Sequence, residues 1–242
     1  MIHWLRFSVL ALVFFFSWNT LYSQANFSIR FEHAVGTEAL ILDSLQYKNV
    51  LGQNFTVSKF KYYVSNFRLK RNDGKEEFSK EVFLINEEDS GSKHFLLKDI
   101  PAGKYASVQF TLGVDSTLNC SGVQSGALDP VNGMFWTWNT GYIFLKLEGK
   151  SPESTANGNI FEYHIGGYKT PANCIRQVIL SLKERDSEIS EISIKADVAE
   201  IFKNTVTLDL AKLNSVTDFH NAEMVADNYS KMFSILEESK AK

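Results

Sequence analysis

Phe27-Ser28-Ile29-Arg30-Phe31-Glu32-His33 alternates apolar and polar residues, which puts Phe27, Ile29, Phe31 and His33 on one face of an extended strand. Similar runs of β-branched and aromatic residues recur at 60–69, 82–86, 105–114, 142–148, 160–165, 175–182, 192–196 and 205–210, separated by Gly, Asn and Asp. Many short strands at such spacing predict a mainly β chain folded as an antiparallel β-sandwich, immunoglobulin-like or related. Pro101-Ala102-Gly103 reads as the turn that launches the strand at Tyr105, and Asn72-Asp73-Gly74 as a hairpin turn. After Asp218 the period changes: Met224, Val225, Tyr229, Met232 and Phe233 fall at helical spacing and predict a short C-terminal helix with a packing stripe.

The N-terminus has a different pattern. Arg6 precedes the apolar run Phe7 to Trp18, and small residues follow at Ser23 to Ala25. That order reads as a secretory signal peptide over 1–24, too short for a comfortable membrane span. The absence of Cys at the junction argues against a lipid anchor, so a single domain over 25–242 in the periplasm or outside the cell is expected. The chain carries 25 Lys and Arg against 28 Asp and Glu, and the leader removes only Arg6 from that balance. A mildly acidic mature chain argues against nucleic acid as a partner.

Cys120 and Cys174 are the only cysteines, and both lie in the exported part. In an oxidising compartment they are expected to form one disulfide closing a loop of about 55 residues, worth roughly 3 to 4 kcal/mol. The alternative is a pair of thiolate copper ligands.

No GxSxG, HExxH or phosphate loop is present, and no nucleophile stands beside a base, so the chain is not expected to be an enzyme. Asp115, Asp129 and Glu148 could be drafted as a hydrolytic acid pair, but carboxylates on turns usually cap the backbone. The histidines are the remaining chemistry. His33, in register with an apolar face, suits either a core histidine bonded to a carbonyl or a metal ligand. His164 ends a strand that runs into Gly166-Gly167, where a sharp bend or close backbone approach is possible. His220 stands at the entry to the predicted helix, and His94 follows a solvated turn. Met134, Trp136 and Trp138 would share one face of a strand, an arrangement that suits core packing or a site wall.

These strings together have a pattern: Leu112-Gly113-Val114-Asp115, Asn119, Gly126-Ala127-Leu128-Asp129-Pro130, then Gly133-Met134-Phe135-Trp136-Thr137-Trp138-Asn139-Thr140-Gly141-Tyr142, Lys146-Leu147-Glu148-Gly149 and Tyr163-His164-Ile165-Gly166-Gly167. With Phe31-Glu32-His33 and Tyr62-Tyr63-Val64-Ser65-Asn66, they resemble the MbnP-like family of periplasmic copper-binding proteins. The resemblance implies copper as the bound metal, with His33 and His164 as ligands and His220 as a third. It also implies a MauG-like di-haem partner, of the cytochrome c peroxidase family, that oxidises Trp136 or Trp138 to kynurenine. The alternative is a non-metal interaction module that takes a sugar, peptide or protein through an exposed Trp-rich face.

Overall fold

The computed structural model describes residues 26–136, 141–170, 172–183 and 187–240 of the 242-residue chain. The segment 1–24, expected to be a leader, and Trp138 lie outside the described residues. In chain order the main strands are β1 (Asn26–Val35), β2 (Asn54–Arg71), β3 (Glu76–Asn86), β4 (His94–Pro101) and β5 (Tyr105–Leu112). A short helix, α1 (Ser116–Cys120), precedes β6 (Phe135–Trp136), β7 (Gly141–Lys150), β8 (Ile160–Gly166), β9 (Arg176–Ser181), β10 (Ile189–Asp197) and β11 (Ser215–Val216). The chain closes with α2 (Ala222–Tyr229) and β12 (Phe233–Lys240).

These strands form two facing sheets. The smaller one runs β12-β10-β1, with β4 and the pair Glu38–Ala39 also bonded to β1. The larger runs β9-β5-β2-β7-β8-β11, and β3 pairs with the second half of β2. The predicted sandwich is therefore present, with a refinement: β1 pairs with β10 in parallel, and β8 with β11 in parallel, inside sheets that are otherwise antiparallel. The inward face of β1 is the one its alternation indicated, since Phe27, Ile29, Phe31 and His33 are all buried. Phe31 sits at the centre, its ring 5.9 Å from each of Tyr62, Phe110 and Phe233. Such edge-on aromatic contacts fill a sandwich core efficiently.

Two expectations need correction. Residues 205–210 form no strand, because Leu208 and Leu210 are buried while nearby backbone groups are satisfied by side-chain amides: Val206 N–H donates to Asn228 Oδ1, and Leu210 N–H to Gln53 Oε1. The C-terminal helix exists but stops at Tyr229, and Phe233 belongs to β12, which pairs antiparallel with β10. Among the described residues no helix is long and apolar enough to cross a membrane.

The outer face of the larger sheet carries a second, smaller core. Tyr63 and Tyr142 point outward and meet edge-on at 5.8 Å. The segment 114–135 folds over them: Tyr63 donates to Ala127 O and Tyr142 to Leu128 O. Asp115 and Asp129, two of the three drafted acids, accept backbone N–H bonds from Leu118 and Val131 as turn caps. This cover ends at β6 and brings Met134 and Trp136 over the sheet.

Candidate functional site

His33, on β1 of the smaller sheet, packs against the inner face of the larger sheet, and His164 stands on the outer face of that larger sheet. In its register Lys61 is opposite Lys146, and Lys146 is opposite His164, so these three side chains share the outer face. One residue along, Tyr62, Leu145 and Ile165 form the inward row, and Tyr62 is the residue that reaches His33. The sheet itself separates the two imidazoles.

The inner histidine is fully enclosed. Its Nδ1 is 2.6 Å from Glu87 Oε2, its Nε2 is 2.9 Å from Tyr62 Oη, and the Phe60 ring lies edge-on at 4.8 Å. Lys93 Nζ also donates to Glu87 Oε2, at 2.7 Å. Burial pushes the His33 pKa down, outweighing the carboxylate that would raise it. Burial raises Glu87, but hydrogen bonds from His33 and Lys93 outweigh it and hold the carboxyl below its usual range. A neutral His33 therefore donates from Nδ1 to Glu87 and accepts at Nε2 from the Tyr62 hydroxyl, whose pKa burial holds well above the ordinary value. Both ring nitrogens are taken, and no lone pair is left for a metal.

The outer histidine is different. His164 Nε2 lies 2.8 Å from Glu148 Oε1, and Lys59 Nζ approaches Glu148 Oε2 at 3.1 Å. The His164 bond, helped by Lys59 and opposed by burial, lowers the Glu148 pKa to about 2. Lys146, pushed down by burial, lies 3.9 Å from Glu148 Oε1 and donates at 2.6 Å to Gly133 O, the carbonyl just before Met134. Among the described residues Nδ1 of His164 has no hydrogen-bond partner.

Two residues beyond His164, Gly166 carries the indole of Trp136. A Cβ at Gly166 would stand 2.5 Å from Tyr142 O and 2.8 Å from Trp136 Cζ3, so only glycine lets the ring lie on this strand. Trp136 is 5% exposed, Met134 is fully buried, and Ile143 N–H donates to Met134 O. Trp136 also meets Phe219 edge-on at 6.1 Å.

His220 is exposed, beside Phe219 and Met224 at the rim of a cleft of about 600 Å³. The nearby carboxylates are already engaged: Glu223 accepts from Asn173 N–H, and Asp227 from Arg176. The three histidines singled out in the sequence do not come together, and among the described residues no three His, Cys, Asp or Glu side chains gather as a metal site.

The expected Cys120–Cys174 bridge is not formed in this structure, and both thiols are free. Cys120 is exposed at the end of α1 with its Sγ 3.5 Å from Tyr168 Oη. Cys174 is buried beside α2, where Tyr229 Oη donates to its carbonyl. Burial raises the Cys174 thiol to about 12.

Glu148 and Glu87, which prove to be the partners of the two histidines, were not read that way from the chain. Period-two alternation puts Lys146 and Glu148 on one face, but only the register places them beside His164.

A family model described as MbnP matches residues 24–222. Among solved structures, the chain is similar to MbnP from Methylosinus trichosporium, with 16% identity and a TM-score of 0.54 over 76% of this chain and 78% of that one. At that identity the likeness speaks for the fold. No curated protein sequence matches.

Proposed function

The chain belongs to the MbnP family, and from that premise we propose that it is an exported copper-binding protein rather than an enzyme. The observation that carries this reading is Trp136, buried against the strand that bears His164 instead of presented to solvent. An interaction module would need an exposed Trp face, and Trp136 does not provide one.

The donor set drawn from the sequence does not fit one ion, because His33 is saturated and stands across the sheet from His164. His164 fits by itself. A metal-binding imidazole characteristically gives its second nitrogen to a carboxylate or carbonyl, as His164 gives Nε2 to Glu148. We assign His164 as a copper ligand on the outer face, His33 as a structural residue, and His220 as a bystander. Trp136 or Trp138 is the residue that a MauG-like di-haem partner would oxidise to kynurenine, and the periplasm is the compartment in which the two would meet.

Copper titration of the mature protein tests this directly, with His33→Ala, His164→Ala and His220→Ala measured singly. Near-stoichiometric binding lost only in His164→Ala is the expected result. Negligible binding by the wild type overturns the copper reading.

A further inference from the structure

We propose that Glu148 is a positioning residue that sets the tautomer of His164, holding the proton on Nε2 and leaving Nδ1 as the nitrogen with the free lone pair. An ionised carboxylate only accepts hydrogen bonds, so at 2.8 Å from Glu148 Oε1 the His164 Nε2 must carry the proton. The carboxylate is itself held from two sides. Lys59, from β2, takes Oε2 at 3.1 Å, which turns Oε1 toward His164. Lys146, on the same strand as Glu148, stands 3.9 Å from Oε1 and is bound at 2.6 Å to the carbonyl of Gly133. One network thus ties the orientation of the imidazole to the segment that delivers Met134 and Trp136.

The inner histidine shows by contrast what this arrangement provides. There Tyr62 occupies the second nitrogen. On the outer face among the described residues nothing does, and beyond His164 the missing side chain of Gly166 leaves room for the indole of Trp136 against the strand. The proposal deepens the copper-binding reading and rests on it for the purpose of the free Nδ1, while the tautomer itself is a property of the metal-free protein.

Glu148→Gln gives a sharp test. Lys59 would hold the amide oxygen at the position of Oε2 and turn the amide NH2 toward His164, so the ring must accept at Nε2 and carry its proton on Nδ1. Long-range 1H–15N correlation spectra of the histidine-labelled, metal-free protein read the tautomer without copper. The expected result is Nε2–H in the wild type, inversion to Nδ1–H in Glu148→Gln, and a Nε2 proton that exchanges faster with water in Glu148→Ala. A wild type protonated on Nδ1, or the same tautomer in wild type and Glu148→Gln, overturns the proposal. Copper affinity, measured in parallel, is expected to fall about 10- to 100-fold in Glu148→Gln. A wild type that takes no copper removes the copper reading alone, because the tautomer result is read on the metal-free chain.

Discussion

Two histidines, each within hydrogen-bond distance of a glutamate, lie against the two faces of the larger sheet, His33 reaching it from β1 of the other sheet, and are prepared for different work. His33 is packed between sheets, with Phe60 against its ring and both nitrogens satisfied. His164 is on the outer face, bonded at one nitrogen only among the described residues, on the strand next to Lys146, which bonds the covering segment at Gly133 O. The difference lies in what surrounds the second nitrogen, and a carboxylate partner alone does not distinguish a core histidine from a ligand. A buried polar residue with every group paired holds a fold together; one with a nitrogen in reserve can hold something else.

The largest effect should come from breaking the inner cluster. His33→Ala leaves the Tyr62 hydroxyl, in a place closed to water, without its partner, and the partly buried Glu87 with Lys93 alone. Removing one member of such a buried set costs about 3 kcal/mol, and for a domain of this size that lowers Tm by roughly 6–12 °C. Denaturant unfolding measures the loss, and copper stoichiometry should stay at the wild-type value. A His33→Ala protein of normal stability that no longer bound copper would reverse the assignments of the two histidines.

Gly166→Ala attacks the other face. The added methyl meets Tyr142 O and the Trp136 ring, so either the indole or the backbone must shift, at a cost of about 2 kcal/mol. Trp136 and Trp138 are the only tryptophans after residue 24, so the intrinsic emission of a chain lacking residues 1–24 comes from these two indoles alone. A shifted emission spectrum together with weaker copper binding is expected. An unchanged spectrum would mean that Trp136 does not rest on Gly166 in solution.

Acidification should separate the two faces further. Burial lowers His33 in the folded chain below the 6.5 of an unhindered imidazole, so the unfolded chain takes up the proton more readily. The stability contributed by neutral His33 is whole above pH 6.5 and is lost as pH falls through the folded value, with a slope of at most about 1.4 kcal/mol per pH unit. Unfolding free energies of wild type and His33→Ala, compared at pH 7.5 and 5.5, isolate this contribution. Their difference should shrink at the lower pH, and a difference that grows would show that the buried imidazole prefers to be charged.

How far the chain itself revealed this contrast depends on which interactions are local. The inward face of β1 was legible because alternation is a property of neighbouring residues, and Phe27, Ile29, Phe31 and His33 are buried as that pattern requires. The Gly166-Gly167 pair marked the close approach beside His164 for the same reason. Convergence of the histidines was not legible, since it depends on which residue of β2 faces which of β7 and β8, and a slip of one residue would exchange the faces. β12 was hidden too. Phe233-Ser234-Ile235-Leu236-Glu237-Glu238 has no clean alternation, and its pairing with β10 rather than its own pattern makes it a strand.

The smallest expected effect is that of His220→Ala, and it tests the boundary of the site. His220 is exposed, and the hydrogen bond from its backbone N–H to Asp218 Oδ1 survives the substitution. Stability should therefore change by less than about 0.5 kcal/mol, and copper binding should be unaltered. Its surroundings make the experiment worth doing: Met224 shares the same cleft, and Phe219 touches Trp136. A thioether and an imidazole are donors that soft copper accepts. Should His220→Ala lose copper while His164→Ala keeps it, the metal would belong to the cleft at α2 that Phe219 helps to line, and His164 would be a second structural histidine. Retained copper in His220→Ala, with loss in His164→Ala, leaves the outer face of the sheet as the place where the ion is held.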